Sequence, residues 1–156
     1  METVRIKTPL GIAEIIGDVN GIAKIAVIDD GIISESIPIV LQQAVQQLQD
    51  YFDFKRTDFT FKLNPKGTYF QQKVWKGLLD IPFGKTRTYL EQSKFLGDPK
   101  AIRAVASANG KNPLWIVVPC HRVIGTDGSL TGYAGGLWRK KWLLEHENPS
   151  PQHSLF

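Results

Sequence analysis

A chain of 156 residues, 42% hydrophobic and 22% charged, is long enough to bury a genuine core without disulfide staples and is neither a disordered tail nor a fibrous repeat. No apolar run approaches the roughly 18 residues of a membrane span. Met1-Glu2-Thr3-Val4-Arg5 lacks the basic-then-apolar order of a secretory signal, and one cysteine cannot close an internal disulfide, so the expected compartment is the reducing cytosol. The net charge of +4 is unevenly spread: residues 1–64 carry 6 Lys and Arg against 9 Asp and Glu (−3), and residues 65–156 carry 13 against 6 (+7). A basic half attracts phosphates and releases counterions on contact, which makes nucleic acid the first partner to consider.

The front begins with Val4-Arg5-Ile6, Ile12 to Ile16 and Ile22 to Ile28, short apolar runs separated by Pro9-Leu10-Gly11 and Asn20-Gly21. They read as antiparallel strands, with Asn20-Gly21 as a tight turn because both residues tolerate positive φ. From Pro38 the period changes. Leu41, Ala44, Val45, Leu48 and Phe52 recur at helical spacing with the glutamines facing out, and Phe59, Phe61 and Leu63 then alternate as in a strand. The front reads as scaffold, a small sheet with one helix.

Asn64-Pro65-Lys66-Gly67 is turn-rich and coincides with the change of charge, so the domains are expected at 1–64 and 65–156. Helices dominate the second half. Thr68 with Gln71 forms a capping-box pattern ahead of Phe70, Val74 and Leu78, and Thr88 with Glu91 forms another ahead of a helix from Tyr89 to Leu96. Gly97 stops that helix, and Asp98 is expected to cap a third, from Pro99 to about Asn109. Two short helices meeting at Gly97-Asp98 have the form of a helix-turn-helix, whose second helix would carry Lys100 and Arg103 toward a nucleic-acid groove. Ile102 and Val105 are placed toward the core, while Ala104, Ser107 and Ala108 keep the outer face low. The fold class is therefore α+β: a small N-terminal antiparallel sheet with one helix, then a mostly helical domain containing a helix-turn-helix.

Leu114 to Val118 is a continuous apolar run that reads as a buried strand leading into Pro119-Cys120-His121-Arg122. A lone cysteine is more often an inert core residue than a nucleophile, but an imidazole and a guanidinium beside a thiol favour the reactive thiolate. Adjacent side chains project in different directions, so His121 would act as a base on Cys120 through a bridging water. It would need a carboxylate to hold its tautomer, and the candidate is Glu147, at the end of a last helix anchored by Leu137, Trp138, Trp142 and Leu144. The plain alternative for Glu147 is a solvated helix end. His146 and His153 have no partners at metal-ligand spacing, and one cysteine cannot complete a Cys-rich zinc site, so no metal or cofactor is expected.

The segment Ile116-Val117-Val118-Pro119-Cys120-His121-Arg122-Val123, with Gly132-Tyr133-Ala134-Gly135-Gly136 after it, resembles the methylated-DNA–protein-cysteine methyltransferase family. The likeness runs from about Phe70 to Glu147. It takes in Phe83-Gly84, Thr88-Tyr89, Arg103-Ala104-Val105, Ala108-Asn109-Gly110, Asn112-Pro113 and Trp142-Leu143-Leu144-Glu145-His146-Glu147.

The resemblance implies direct repair of O6-alkylguanine in duplex DNA, with the alkyl group moved irreversibly onto Cys120 once per molecule, and leaves O4-alkylthymine open as a second lesion. It further implies a nucleotide rotated out of the stack by a helix-turn-helix seated in the minor groove. Tyr89 would then turn the phosphate and donate a proton to the base, Arg103 would fill the vacated stack, and Asn112 would brace the turn into the site. Lys100, Ala104, Ser107 and Arg122 would join Arg103 at the DNA. Val123 would offer a backbone carbonyl, Tyr133 and Ala134 would line the pocket, and Lys140 would assist the leaving group. Some family members carry serine where this chain has Ala134, so a hydroxyl contact is lost there. The implied partner is double-stranded DNA bearing alkylated guanine, with no membrane and no obligate protein partner, and the chain is expected to be a monomer. Three other readings stand beside this one: a non-enzymatic lesion binder of similar sequence, which has tryptophan at the cysteine position; a DNA-binding regulator; and a cysteine hydrolase.

Overall fold

Three antiparallel strands open the chain: β1 (Glu2–Thr8), β2 (Gly11–Asp18) and β3 (Gly21–Ile28). Alternate residues point inward, as a pleated strand requires, so Val4, Ile6, Ala13 and Ile15 are buried while Arg5 and Glu14 pair on the other face at 2.8 Å. The β2–β3 turn sits one residue earlier than expected, with Val19 and Asn20 between the paired Asp18 and Gly21. Gly21 is needed as the first strand residue because its φ is +127° and the Lys62 carbonyl lies 3.0 Å from where a Cβ would stand. Helix α1 (Gln42–Phe52) follows a short 3-10 turn at Ile39–Leu41. Leu41, Ala44, Val45, Leu48 and Tyr51 form its buried stripe, with Tyr51 rather than Phe52 taking the innermost place.

Two expectations for this region are corrected. Phe59 to Leu63 is not a strand; only Leu63 bridges to the sheet, at Ile22. The loop is tied down instead by Gln47, which is buried rather than facing out: its Nε2 donates to Thr60 Oγ1 at 2.7 Å and its Oε1 accepts from the Thr60 amide at 2.9 Å. A glutamine that satisfies a loop's backbone replaces the ladder the loop lacks.

The structure, a computed structural model, describes residues 1–149, and His153 lies outside them. They divide into two units. The first joins Met1–Lys66 with Pro113–Val117, and the second joins Gly67–Asn112 with the chain from Val118 onward. Leu114 to Val118 is likewise not a strand. Leu114 makes a single bridge to Ile25; the Val117 amide then bonds the Trp115 carbonyl at 2.8 Å around Ile116, whose φ is +70°. That is a γ-turn of the rare, strained hand, and a β-branched residue there costs on the order of 1–3 kcal/mol. The buried apolar packing of Ile116, fully enclosed, offsets it.

In the second unit, α2 (Tyr69–Leu78) and α3 (Tyr89–Phe95) both begin with complete capping boxes, from Thr68 with Gln71 and from Thr88 with Glu91. Gly97, at φ +88°, ends the turn after α3. Helix α4 (Ile102–Gly110) starts three residues later than expected. Asp98 does not cap it: its carbonyl accepts from Ala101 at 3.1 Å and its Oδ1 from Lys100 at 3.0 Å. Asp98-Pro99-Lys100-Ala101 has the residues of a β-turn, Asp first and Pro second, and the turn takes the side chain that would have capped the helix. Val105 and Ala108 are buried, whereas Ile102 is at the exposed margin, so Ala108 leaves the outer face and Ile102 leaves the core. The indole Nε1 of Trp75 ties α2 to the end of α4, donating to the Ala108 carbonyl at 2.9 Å.

A two-residue parallel ladder, β4 (Arg87–Thr88) with β5 (Val123–Ile124), completes the frame, and α5 (Leu137–Glu147) closes it. Leu137 and Trp138, expected as anchors of α5, are exposed. The buried stripe comprises Arg139, Lys140, Leu143, Leu144, His146 and Glu147, spaced at helical intervals but largely charged. No helix among the described residues is long and apolar enough to cross a membrane.

Candidate active site

The β4–β5 ladder sets the geometry. The two strands run parallel, Arg87 paired with Val123 and Thr88 with Ile124, so Cys120, His121 and Arg122 lead into one strand of the ladder while Tyr89 leads out of the other. Those three residues form a single 3-10 turn. The Cys120 amide donates to the Val118 carbonyl at 2.8 Å around Pro119, which closes a tight turn and leaves Cys120 a half-buried residue. Asn112 ties this turn to the end of α4. Its Nδ2 donates to the Val118 carbonyl at 2.8 Å and lies 3.4 Å from Cys120 Sγ.

Behind the cysteine stands an ionic set buried on every side. Glu147 accepts from His121 Nε2 at 2.6 Å, from Arg122 Nε at 2.7 Å and Nη2 at 3.0 Å, and from the Gly84 amide at 3.5 Å. Gly84, at φ +80°, aims that amide, with the Glu147 backbone carbonyl 3.2 Å from where a Cβ would be. Burial, the largest influence on Glu147, pushes its carboxyl up, but His121 and Arg122 together hold it well below the usual carboxylate range. Burial likewise lowers His121 more than Glu147 raises it, so the imidazole is neutral near pH 7. A carboxylate only accepts, so the ring proton sits on Nε2 and Nδ1 carries a lone pair, with no hydrogen-bond partner among the described residues.

Arg122 was expected at the DNA and beside the thiol; it is at neither. It is 6% exposed, and each nitrogen of its guanidinium donates once, Nε and Nη2 to Glu147 and Nη1 to the Ile81 carbonyl at 2.7 Å. A bidentate pair of this kind fixes the carboxylate that fixes the imidazole. The expectation that Cys120 rests as a thiolate is also corrected. Burial raises the thiol, and the groups that oppose it are Asn112 and the Lys140 ammonium, not Arg122.

Lys140 is completely buried. Its Nζ donates to the Thr131 carbonyl at 2.9 Å and lies 5.8 Å from the centre of the Tyr89 ring. Burial lowers it to about 8, partly countered by Cys120. Tyr89 is half-buried, and burial raises its hydroxyl while contacts from Thr131 and Asn109 lower it. Sequence reasoning missed Thr131, whose backbone carbonyl holds the Lys140 ammonium.

The remaining candidates divide between surface and core. Arg103, Ala104 and Ser107 are exposed on α4, and Lys100 is exposed in the turn before it, so the face expected to meet DNA is free and carries small residues. Val123 is fully buried, Tyr133 is half-buried and Ala134 is exposed in the loop before α5. A separate hollow bounded by Leu130, Leu137 and Trp138 contains none of the expected residues.

The family model of the 6-O-methylguanine DNA methyltransferase DNA-binding domain matches residues 69–149. The methylated-DNA–protein-cysteine methyltransferase of Methanosarcina acetivorans is 45% identical over 150 residues, 90% of this chain and 94% of that protein. This chain belongs to the methylated-DNA–protein-cysteine methyltransferase family. The enzyme of the same name from Methanosarcina barkeri is 54% identical over 106 residues, 68% of this chain and 67% of its own. Among solved structures, Mycobacterium tuberculosis O6-methylguanine methyltransferase has a TM-score of 0.85 at 42% identity, covering 96% of this chain and 94% of that one. M. tuberculosis OGT in complex with DNA has the same TM-score and identity, covering 96% and 95%. The α+β class of this family member, a three-stranded sheet followed by a helical region, accords with these structures.

Proposed function

We propose that this family member repairs O6-alkylguanine in duplex DNA by moving the alkyl group onto Cys120, once per molecule. The observation that carries the reading is a half-buried Cys120 held by Asn112 in front of a neutral imidazole locked by Glu147 and Arg122. At rest the sulfur is a thiol. When a lesion is engaged, its proton passes through a water to His121 Nδ1, and Asn112 and Lys140 stabilise the thiolate. The sulfur then attacks the alkyl carbon, a C–S bond forms, and the C–O6 bond breaks. The electron pair stays on guanine, which is neutralised at a ring nitrogen by the Tyr89 proton, with the Lys140 charge nearby. The product is a thioether whose carbon has no good leaving group, and the sequence contains no second thiol to remove it.

The reacting carbon is out of reach inside a stacked duplex, so the nucleotide must rotate out. Exposed Arg103 would fill the gap, with Ala104 and Ser107 allowing α4 to approach the minor groove and Lys100 meeting phosphate. Val123, Tyr133 and Ala134 would surround the extruded base. The chemistry needs no cofactor and no partner chain, and a monomer in the cytoplasm suffices.

The test uses Cys120→Ala. Transfer from an O6-methylguanine duplex should vanish while lesion binding persists, because the contacts to base and phosphate come from other residues. Transfer that survives the substitution would refute the mechanism, and binding that prefers a particular undamaged sequence would favour a regulator.

A further inference from the structure

The chain between β5 and α5 forms neither helix nor strand, so its backbone groups must find partners that a ladder would supply elsewhere. Near its end, Tyr133 to Gly136 forms a β-turn in which the Tyr133 carbonyl accepts from the Gly136 amide at 2.9 Å, and Ala134 stands exposed at the corner. Two consecutive residues of α5 hold this stretch from behind. Lys140 Nζ donates to the Thr131 carbonyl, two residues before the turn, at 2.9 Å. Arg139 Nη1 donates to the Gly135 carbonyl, inside the turn, also at 2.9 Å.

Arg139 has a built seat. It is 7% exposed, and enclosing a guanidinium costs far more than enclosing an apolar side chain of similar length. Its guanidinium carbon lies 4.5 Å from the centre of the Trp138 ring, a cation–π contact that gives the otherwise exposed indole a use. A Cβ at Gly135 would stand 3.5 Å from the Arg139 stem and 3.1 Å from the Tyr133 ring, so the bare glycine lets both side chains pack against one backbone position. We propose that Arg139 is a positioning residue: seated on Trp138, it fixes the Tyr133–Gly136 turn and so sets the wall against which an extruded base is held. This rests on the alkyl-transfer reading above and adds to it a residue that acts only through the turn, remote from phosphate and from the reacting atoms.

Lesion selectivity tests this, measured in Cys120→Ala protein as the affinity for an O6-methylguanine duplex relative to the same duplex undamaged. Adding Arg139→Met, which keeps the apolar stem and removes the guanidinium, should weaken the lesion complex by about tenfold, the effect of one charge-assisted hydrogen bond, and leave the undamaged complex unchanged. Arg139→Lys keeps a charged donor and should recover part of that loss. Trp138→Leu removes the seat and should weaken the lesion complex by about threefold, adding nothing once Arg139→Met is present. A merely structural role would lower the fraction of active protein and leave the affinity ratio where it was. Trp138 is exposed, so Trp138→Leu carries the test should Arg139→Met fail to fold. Unchanged selectivity in either folded variant overturns the inference, as does equal weakening of both duplexes, which would make Arg139 a phosphate contact. Failure of the unsubstituted protein to transfer a methyl group removes the underlying reading instead, and the affinity ratio, which needs no transfer, separates the two results.

Discussion

The two units bury different kinds of side chain. Among the described residues of the first, the buried polar groups are Thr8 and Gln47, both uncharged, whereas the second encloses His121, Arg122, Arg139, Lys140 and Glu147. Apolar burial stabilises by about 25 cal/mol per Å², while an enclosed charge costs several kcal/mol that only a well-made partner recovers. The buried groups of the first unit thus serve its stability. The second retains destabilising groups beside Cys120, where the proposed transfer would use them.

The sharpest break of this contrast is Glu147→Ala. It strands Arg122 and His121 in the interior and should destabilise the protein by about 3–5 kcal/mol, read from the urea midpoint. A milder variant, Glu147→Gln, should keep more stability but still slow transfer, because a neutral amide no longer fixes the imidazole. Next in size is Leu48→Ala in the first unit, where a fully buried side chain leaves a cavity costing about 2–4 kcal/mol. Its transfer rate per folded molecule should match the unsubstituted protein; a large loss would mean that the first unit shares in the chemistry.

Acid should separate the units more gently. The unfolded chain's His121 takes a proton near its ordinary 6.5 while the folded one, lowered by burial, does not, so stability falls as pH drops below that value. Glu147, also held low when folded, adds a further loss below its ordinary 4.5. Urea midpoints measured from pH 7.5 to 4 should therefore decline, and the decline beginning near pH 6.5 should disappear in His121→Gln. A flat profile near pH 6.5 would mean that folding does not lower the imidazole, and a rise in stability there would mean that the fold holds it charged. Smallest in stability is Arg103→Ala, an exposed change expected within about 0.5 kcal/mol, yet it should slow transfer from duplex while leaving Tm unchanged. Equal repair by this variant would count against its role in filling the stack.

What could be read from the sequence divides along the same line. The sheet and α1 declare themselves because one face of each meets an apolar core, and the capping boxes at Thr68 and Thr88 mark helix starts through local hydrogen bonds. Cys120, His121, Glu147 and Asn112, singled out because their motif is contiguous or resembles a known one, lie within hydrogen-bonding reach of one another in two pairs, Asn112 with Cys120 and His121 with Glu147. Leu114 to Val118 misleads since a β-branched apolar run looks the same whether it is a strand or a buried pair of turns, and nothing in Ile116 announces a φ of +70°. Arg122 and Lys140 mislead differently. The sequence places Arg122 at the DNA and Lys140 at the leaving group, and only the three-dimensional supply of Glu147 and of the Thr131 carbonyl makes their burial tolerable. Thr131 leaves no trace because it acts through a backbone carbonyl that any residue would supply.

The most direct measurement is intact mass, with peptide mapping, after exposure to excess O6-methylguanine duplex. One methyl group should appear on the Cys120 peptide, and repair should stop when every molecule carries it. Continued production of repaired DNA by protein whose thiol remains free would contradict the transfer of the alkyl group to Cys120.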